Sequence, residues 1–151
     1  MATLISKTAA GLKPVVSLNS AHVVGLLYEY VTTTALAAGD IIDLGPIEAG
    51  VTPVDVKLIT DDLDTNGTPT ITLTVGILNA GKTDLSGGTN ENFIVASTAG
   101  QAGGVAVATL PAAYLLGAST SARRLGIKVV AGPATAAAVG KKIAVVLSAA
   151  G

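Results

Sequence analysis

The chain has 151 residues, 50% of them hydrophobic, 13% charged and 3% aromatic, with no cysteine and a formal net charge of −1. That length suits one domain with one core. The missing basic field and scarce aromatic rings argue against a nucleic-acid binder, and the lack of cysteine excludes a disulfide framework, a zinc–thiolate site and a thiol nucleophile. A mean hydropathy of +0.64 with so few charges implies apolar surface covered by partners and a remaining surface rich in Ala, Thr and Gly. No run reaches the roughly 18 uninterrupted apolar residues of a transmembrane helix, and MATLISKTAAGLKPVV lacks the basic region and apolar block of a secretory signal.

Taken in order, residues 1–20 show no clear period, and Pro14 breaks any helix near it. They read as a terminal tail, or as an arm laid on a neighbouring subunit, where Leu4, Ile5 and Leu12 would gain most from contact. Residues 21–151 then read as a single domain. His22 to Thr34 is rich in β-branched and aromatic residues and predicts a long strand with a bulge at Gly25. Ile41 to Leu44 is a short strand, Gly45 to Gly50 is turn chemistry, and Val54 to Thr60 is a further strand. In Thr70 to Leu78 the alternation is strict. Ile71, Leu73, Val75 and Ile77 share one face, and Thr70, Thr72 and Thr74 the other. Asn79 to Asn92 is a long polar loop of the kind that is interacting or mobile. Phe93 to Ser97, Val105 to Ala108, Arg124 to Val130 and Lys142 to Ser148 complete about eight strands, with one helical turn expected at Pro111 to Leu116. No sustained helical period and no fixed repeat appear, so the expected fold is all-β: a jelly roll or antiparallel β-sandwich with an N-terminal arm.

Several motifs invite a chemical reading. Gly76 to Thr83 (GILNAGKT) matches the phosphate-loop pattern in full, with Lys82 for the outer phosphates and Thr83 for magnesium. Such a loop must open a helix, and Asp84 to Asn90 is a poor helix former. Asp62 to Gly67 opens like a calcium loop, but its twelfth position is Leu73 where a bidentate glutamate belongs. Asp61, Asp62 and Asp64 remain a metal candidate; the plainer reading is a solvated acidic hairpin turn with Asn66-Gly67 at its tip. His22 is the only histidine and lacks a nucleophile elbow to serve. Asp40 and Asp43 resemble a carboxylate pair, although Asp40 fits better as closing the turn at Gly39. Arg123-Arg124 and Lys141-Lys142 read as guards of exposed strand edges, or, functionally, as ion pairs to an acidic neighbour.

The run Ala38 to Ile47, with Gly39-Asp40-x-x-Asp43-Leu44-Gly45 at its centre, and the acidic turn Thr60 to Thr70 together resemble a family of small structural proteins of tailed bacteriophages. These are virion proteins of the head-decoration or cement type. The likeness includes Arg124 to Ser148 and leaves out residues 1–20 and 79–92. It implies a jelly roll on the outside of an icosahedral head, made in the host cytoplasm, that bridges major capsid subunits and associates with itself as a dimer or trimer. It brings no catalytic residue, cofactor, membrane, nucleic acid or small-molecule substrate. Lys82, Thr83, Arg123 and Arg124 join Leu4, Ile5 and Leu12 as candidate contacts. The alternatives are a tail or neck component, a surface adhesin domain, a carbohydrate-binding sandwich served only by Tyr28, Tyr30, Tyr114 and Phe93, and a nucleotide hydrolase using Lys82 and Thr83.

Overall fold

The computed structural model describes residues 1–6, 10–11, 23–109 and 111–151. Among these, nine strands form two facing sheets. Strands β1 (Thr3–Ile5), β3 (Ile41–Ile47), β5 (Thr72–Ile77), β6 (Asn92–Ser97) and β8 (Arg123–Ala131) make the first, in the order β1-β3-β8-β5-β6. Strands β2 (Val23–Val31), β4 (Thr52–Thr60), β7 (Gly104–Val107) and β9 (Lys142–Ala150) make the second, in the order β2-β9-β4-β7. The order β3-β8-β5-β6 facing β2-β9-β4-β7 is that of an eight-stranded jelly roll, in which the chain changes sheet at every connection but β5 to β6. One helical turn, α1 (Ala112–Leu115), follows Pro111 as expected.

Alternation decides what the two sheets bury between them. Ile71, Leu73, Val75 and Ile77 all point inward, with Leu125, Ile127 and Val129 of β8 beside them. Leu26, Tyr28 and Tyr30 of β2, Leu58 of β4 and Ile143, Val145 and Leu147 of β9 face them from the second sheet. Phe93, the one phenylalanine, is fully buried. Tyr28 reaches across the gap and donates its hydroxyl to the Pro46 carbonyl (2.9 Å). Burial, and then the negative Glu48 nearby, push its phenol up to about 12, so it stays a neutral donor at ordinary pH.

The eight expected strands are present, and the departures from expectation have local causes. Thr3–Ile5 is a strand of the chain's own sheet, paired parallel with Ile41–Asp43, so the sandwich is not wholly antiparallel. Leu12 and His22 lie outside the described residues. No bulge occurs at Gly25; β2 pairs with β9 in unbroken register from Val23 to Val31. The Gly45-Pro46 pair is not a turn. The chain bulges between Asp43 and Gly45 (φ +141°) and continues as β3 to Ile47. Pro46 is tolerated because β1 covers only residues 41–43, leaving β3 with an open side there. The turn comes later, where Val51 N–H donates to the Glu48 carbonyl and Gly50 takes φ +82°. Arg123-Arg124 and Lys141-Lys142 guard no edge: β8 lies between β3 and β5, and β9 between β2 and β4.

The threonine face of β5 also has work to do. The register of β5 shifts against β8 at Thr72, where Thr72 Oγ1 accepts from Ala131 N–H (3.1 Å). It shifts against β6 near Thr74, whose Oγ1 accepts from Ala96 N–H (3.0 Å). Each hydroxyl thus satisfies a donor that an irregular ladder would leave open.

Candidate functional site

The two sheets present very different outer faces. On the first sheet, Asp43, Gly126 and Gly76 sit side by side across β3, β8 and β5. A Cβ on Gly126 would lie 2.4 Å from Leu78 Cδ2, and one on Gly76 would lie 2.6 Å from the Glu91 carbonyl oxygen. The segment from Leu78 to Asn92 therefore lies directly on this face. It is held there by Lys128 Nζ on Asp84 (2.7 and 3.0 Å) and by Lys82 Nζ, 3.8 Å from Asp43. Asp43 is buried and takes Arg124 Nε on both oxygens at 3.0 Å. The long polar loop is thus a cover.

The phosphate-loop match dissolves in the same segment. Gly76 and Ile77 belong to β5, and Leu78 bridges to Leu85 across a tight turn. Thr83 N–H donates to Asn79 Oδ1 and its hydroxyl accepts from Asn79 Nδ2, while Lys82 takes φ +55°. No helix follows, so no fan of N–H groups faces an anion.

The acidic stretch is not a solvated hairpin turn either. It carries the chain from β4 in one sheet to β5 in the other, and Asp64 is buried at 1% exposure. Its oxygens accept from the N–H groups of Asn66, Thr70, Ile71, Ala134 and Thr135 at 2.7–3.3 Å. Burial alone would raise the Asp64 pKa; the N–H donors, led by Thr135, Thr70 and Ala134, outweigh it and hold the carboxyl well below its usual range. Asp61 Oδ2 accepts from Lys142 N–H, and Asp62 Oδ1 from Asp64 N–H. The three carboxylates are spent on backbone donors, and no group of three or more metal-binding side chains occurs among the described residues. Asp40 closes the Gly39 turn as expected, accepting from Ala37 N–H, and also binds Ala2 N–H.

The other sequence candidates scatter. Arg123 turns in to the carbonyls of Gly117 (2.7 Å) and Val51 (3.3 Å), and Arg124 is spent on Asp43. Leu4 packs against the core, whereas Ile5 stays exposed on β1. Those described do not form one site.

Among the described residues, no strand or helix lies over the outer face of the second sheet. Register sets Leu27, Val146, Lys57 and Val107 in one row across β2, β9, β4 and β7, and Glu29, Ala144, Ile59 and Val105 in the next. Leu27, Val107 and Val105 are 50%, 51% and 62% exposed, and Val23 and Val31 extend the stripe along β2. Single exposed apolar residues need no account, but a contiguous sheet face of them marks an interaction surface. The signal lies in β2 and β9, where outward Val23, Leu27, Ala144 and Val146 are apolar although a solvated strand should alternate; Glu29, Lys142 and Ser148 are the polar exceptions.

The chain is 40% identical to a chain in the capsid of Ralstonia phage GP4, over 98% of this chain and 97% of that one, with a TM-score of 0.87. It belongs to a family of phage capsid proteins. A second such chain, in the capsid asymmetric unit of cyanophage Pam1, is 27% identical over 91% of this chain and 94% of that one, with a TM-score of 0.65. No family model and no curated protein matches. Membership of this capsid family supports a structural role in a virion, performed by contact.

Proposed function

We propose that this capsid-family protein is a cement or decoration protein. It sits on the outside of a phage head, bridges neighbouring major capsid subunits, and bears on them with the outer face of the second sheet. The observation that carries the reading is the asymmetry of the sandwich: one outer face is covered by residues 78–92 and pinned by ion pairs, the other is mostly apolar and, among the described residues, uncovered. The open face measures roughly 15 by 30 Å, on the order of 500 Å². One such contact is weak, but many copies on a shell act together, each reinforcing its neighbours. Ile5, exposed on β1 next to the N-terminal stretch, is a second contact point to the same shell. The role is non-enzymatic.

Gradient sedimentation of lysate from the source system tests this. The protein should travel with capsid-sized particles, and a reconstruction of those particles should show it on the outer surface. Recovery only in light fractions, or on tails, would reject the head-cement role.

A further inference from the structure

Among the described residues, two cations stand on the outer face of the second sheet, and they are placed differently. Lys142 opens β9 opposite Val31, the last residue of β2, so it lies at one end of the face, within reach of water. Lys57 lies inside the face. Val146 and Val107 flank it on the neighbouring strands, and Ile59 follows it along β4. Its strand runs between β9 and β7, so Lys57 guards no sheet edge. Its side chain is exposed, and no carboxylate pairs with it among the described residues.

The acids on the same face do not serve it. Asp55, two positions back on β4, turns one oxygen to the Val56 N–H (2.9 Å) and forms no ion pair with Lys57. Glu29 is two strands and one row away, a distance of roughly 10 Å or more. On open surface an unpaired ammonium is solvated by water. Beneath a docked partner its stem can lie along Val146 and Val107, but the head group carries three N–H donors that lose that water. A buried charge left in this way is strongly unfavourable unless an opposite charge meets it.

We propose that the surface docking on this face carries a carboxylate set in an apolar patch, placed to meet Lys57. The proposal rests on the docking reading and names the chemistry of its partner: an acidic side chain of the major capsid protein, ringed by apolar ones. Apolar contact is non-directional, and one row of this face resembles the next, so apolar burial alone does not fix where the partner sits. A single charge pair inside the patch fixes the register. Enclosed by apolar side chains, it is screened by salt far less than an exposed pair.

Intact heads treated with a water-soluble carbodiimide test the contact. The reagent joins a lysine amine to a touching carboxylate as an amide, takes up the water released and leaves as a urea. Peptide mass spectrometry should find Lys57 joined to an Asp or Glu of the major capsid protein. Heads assembled from equal amounts of wild type and a variant supply the second readout. Lys57→Met should be taken up roughly 30-fold less than wild type or worse, because the partner carboxylate is then buried alone. Lys57→Arg should keep most of the uptake, and Lys142→Met and Asp55→Asn should match wild type, all with an unchanged circular-dichroism spectrum. Equal uptake of Lys57→Met, exclusion of Asp55→Asn as strong as that of Lys57→Met, or crosslinks to the capsid protein from other lysines only would overturn the proposal. Leu27→Asp separates the two readings. If it is excluded while Lys57→Met is not, docking stands and the carboxylate falls; if it is taken up like wild type, the docking reading itself falls.

Discussion

Asp64 shows how one side chain can close a fold. Its two oxygens gather N–H groups from its own loop and from Ala134 and Thr135, about seventy residues on, and so tie the β4–β5 crossing to the β8–β9 crossing. Because those donors favour the charged form, its pKa is lower in the folded chain than the roughly 3.9 of an unfolded aspartate. A lowered folded pKa stabilises the fold above the unfolded value, and that contribution fades as pH drops below about 4. Asp64→Asn should therefore lower the Tm by roughly 5 °C or more at pH 7, since donors are left facing an amide NH₂. The gap between variant and wild type should narrow as thermal melts are taken from about pH 5 down to about pH 2. A gap constant over that range would mean that the charge of Asp64 is not what holds the two crossings.

At the scale of the element, β5 is the test of the core. Leu73 is fully buried in the middle of the inner face, and Leu73→Ala should cost about 2–5 kcal/mol in chemical denaturation. On the opposite face Gly76→Ala should cost about 1–3 kcal/mol, because its new Cβ meets the Glu91 carbonyl, which is backbone and yields only if β6 moves. An unchanged midpoint for Gly76→Ala would show that the cover segment is looser than it stands here. The strict period of Thr70 to Leu78 makes that strand and its faces legible from sequence, and turn residues between apolar runs do the same for the other seven. β1 is not legible this way, since three residues carry no period and their parallel partner lies far along the chain. The Asp61–Asp64 group advertises itself as acidic, but its partners come from a distant loop, so spacing alone suggests a cation where the fold supplies N–H groups. Lys82, Arg123 and Arg124 look like free surface groups for the same reason: Asp43, beside Lys82 and Arg124, and the Val51 carbonyl, which accepts from Arg123, are brought near only by the jelly roll. The outer face of the second sheet is visible in principle, in the outward Val23, Leu27, Ala144 and Val146 of β2 and β9. Alternation is read for what goes inward, and only the register shows that the outward residues form one surface.

The whole molecule is a sandwich with one finished and one unfinished side. The finished side carries its ions in pairs, Asp43 with Arg124 and Asp84 with Lys128, and Lys128, more than any other group, holds Asp84 below the usual carboxylate range. The unfinished side is mostly Val, Leu, Ile and Ala, with few charges among them. If that side meets the shell, attachment draws on apolar burial, which added salt does not weaken, whereas exposed ion pairs are screened within about 3 Å at 1 M ionic strength. Isolated heads washed in about 1 M NaCl should therefore keep this protein. Heads assembled with Leu27→Asp should lose it at low salt, because Leu27 lies on this face opposite Val146, where a carboxylate would be desolvated with no cation across the ladder. Gel analysis of washed and pelleted heads reads both outcomes. Complete release of the wild type in salt would assign the attachment to charged groups, and would move the contact away from the second sheet.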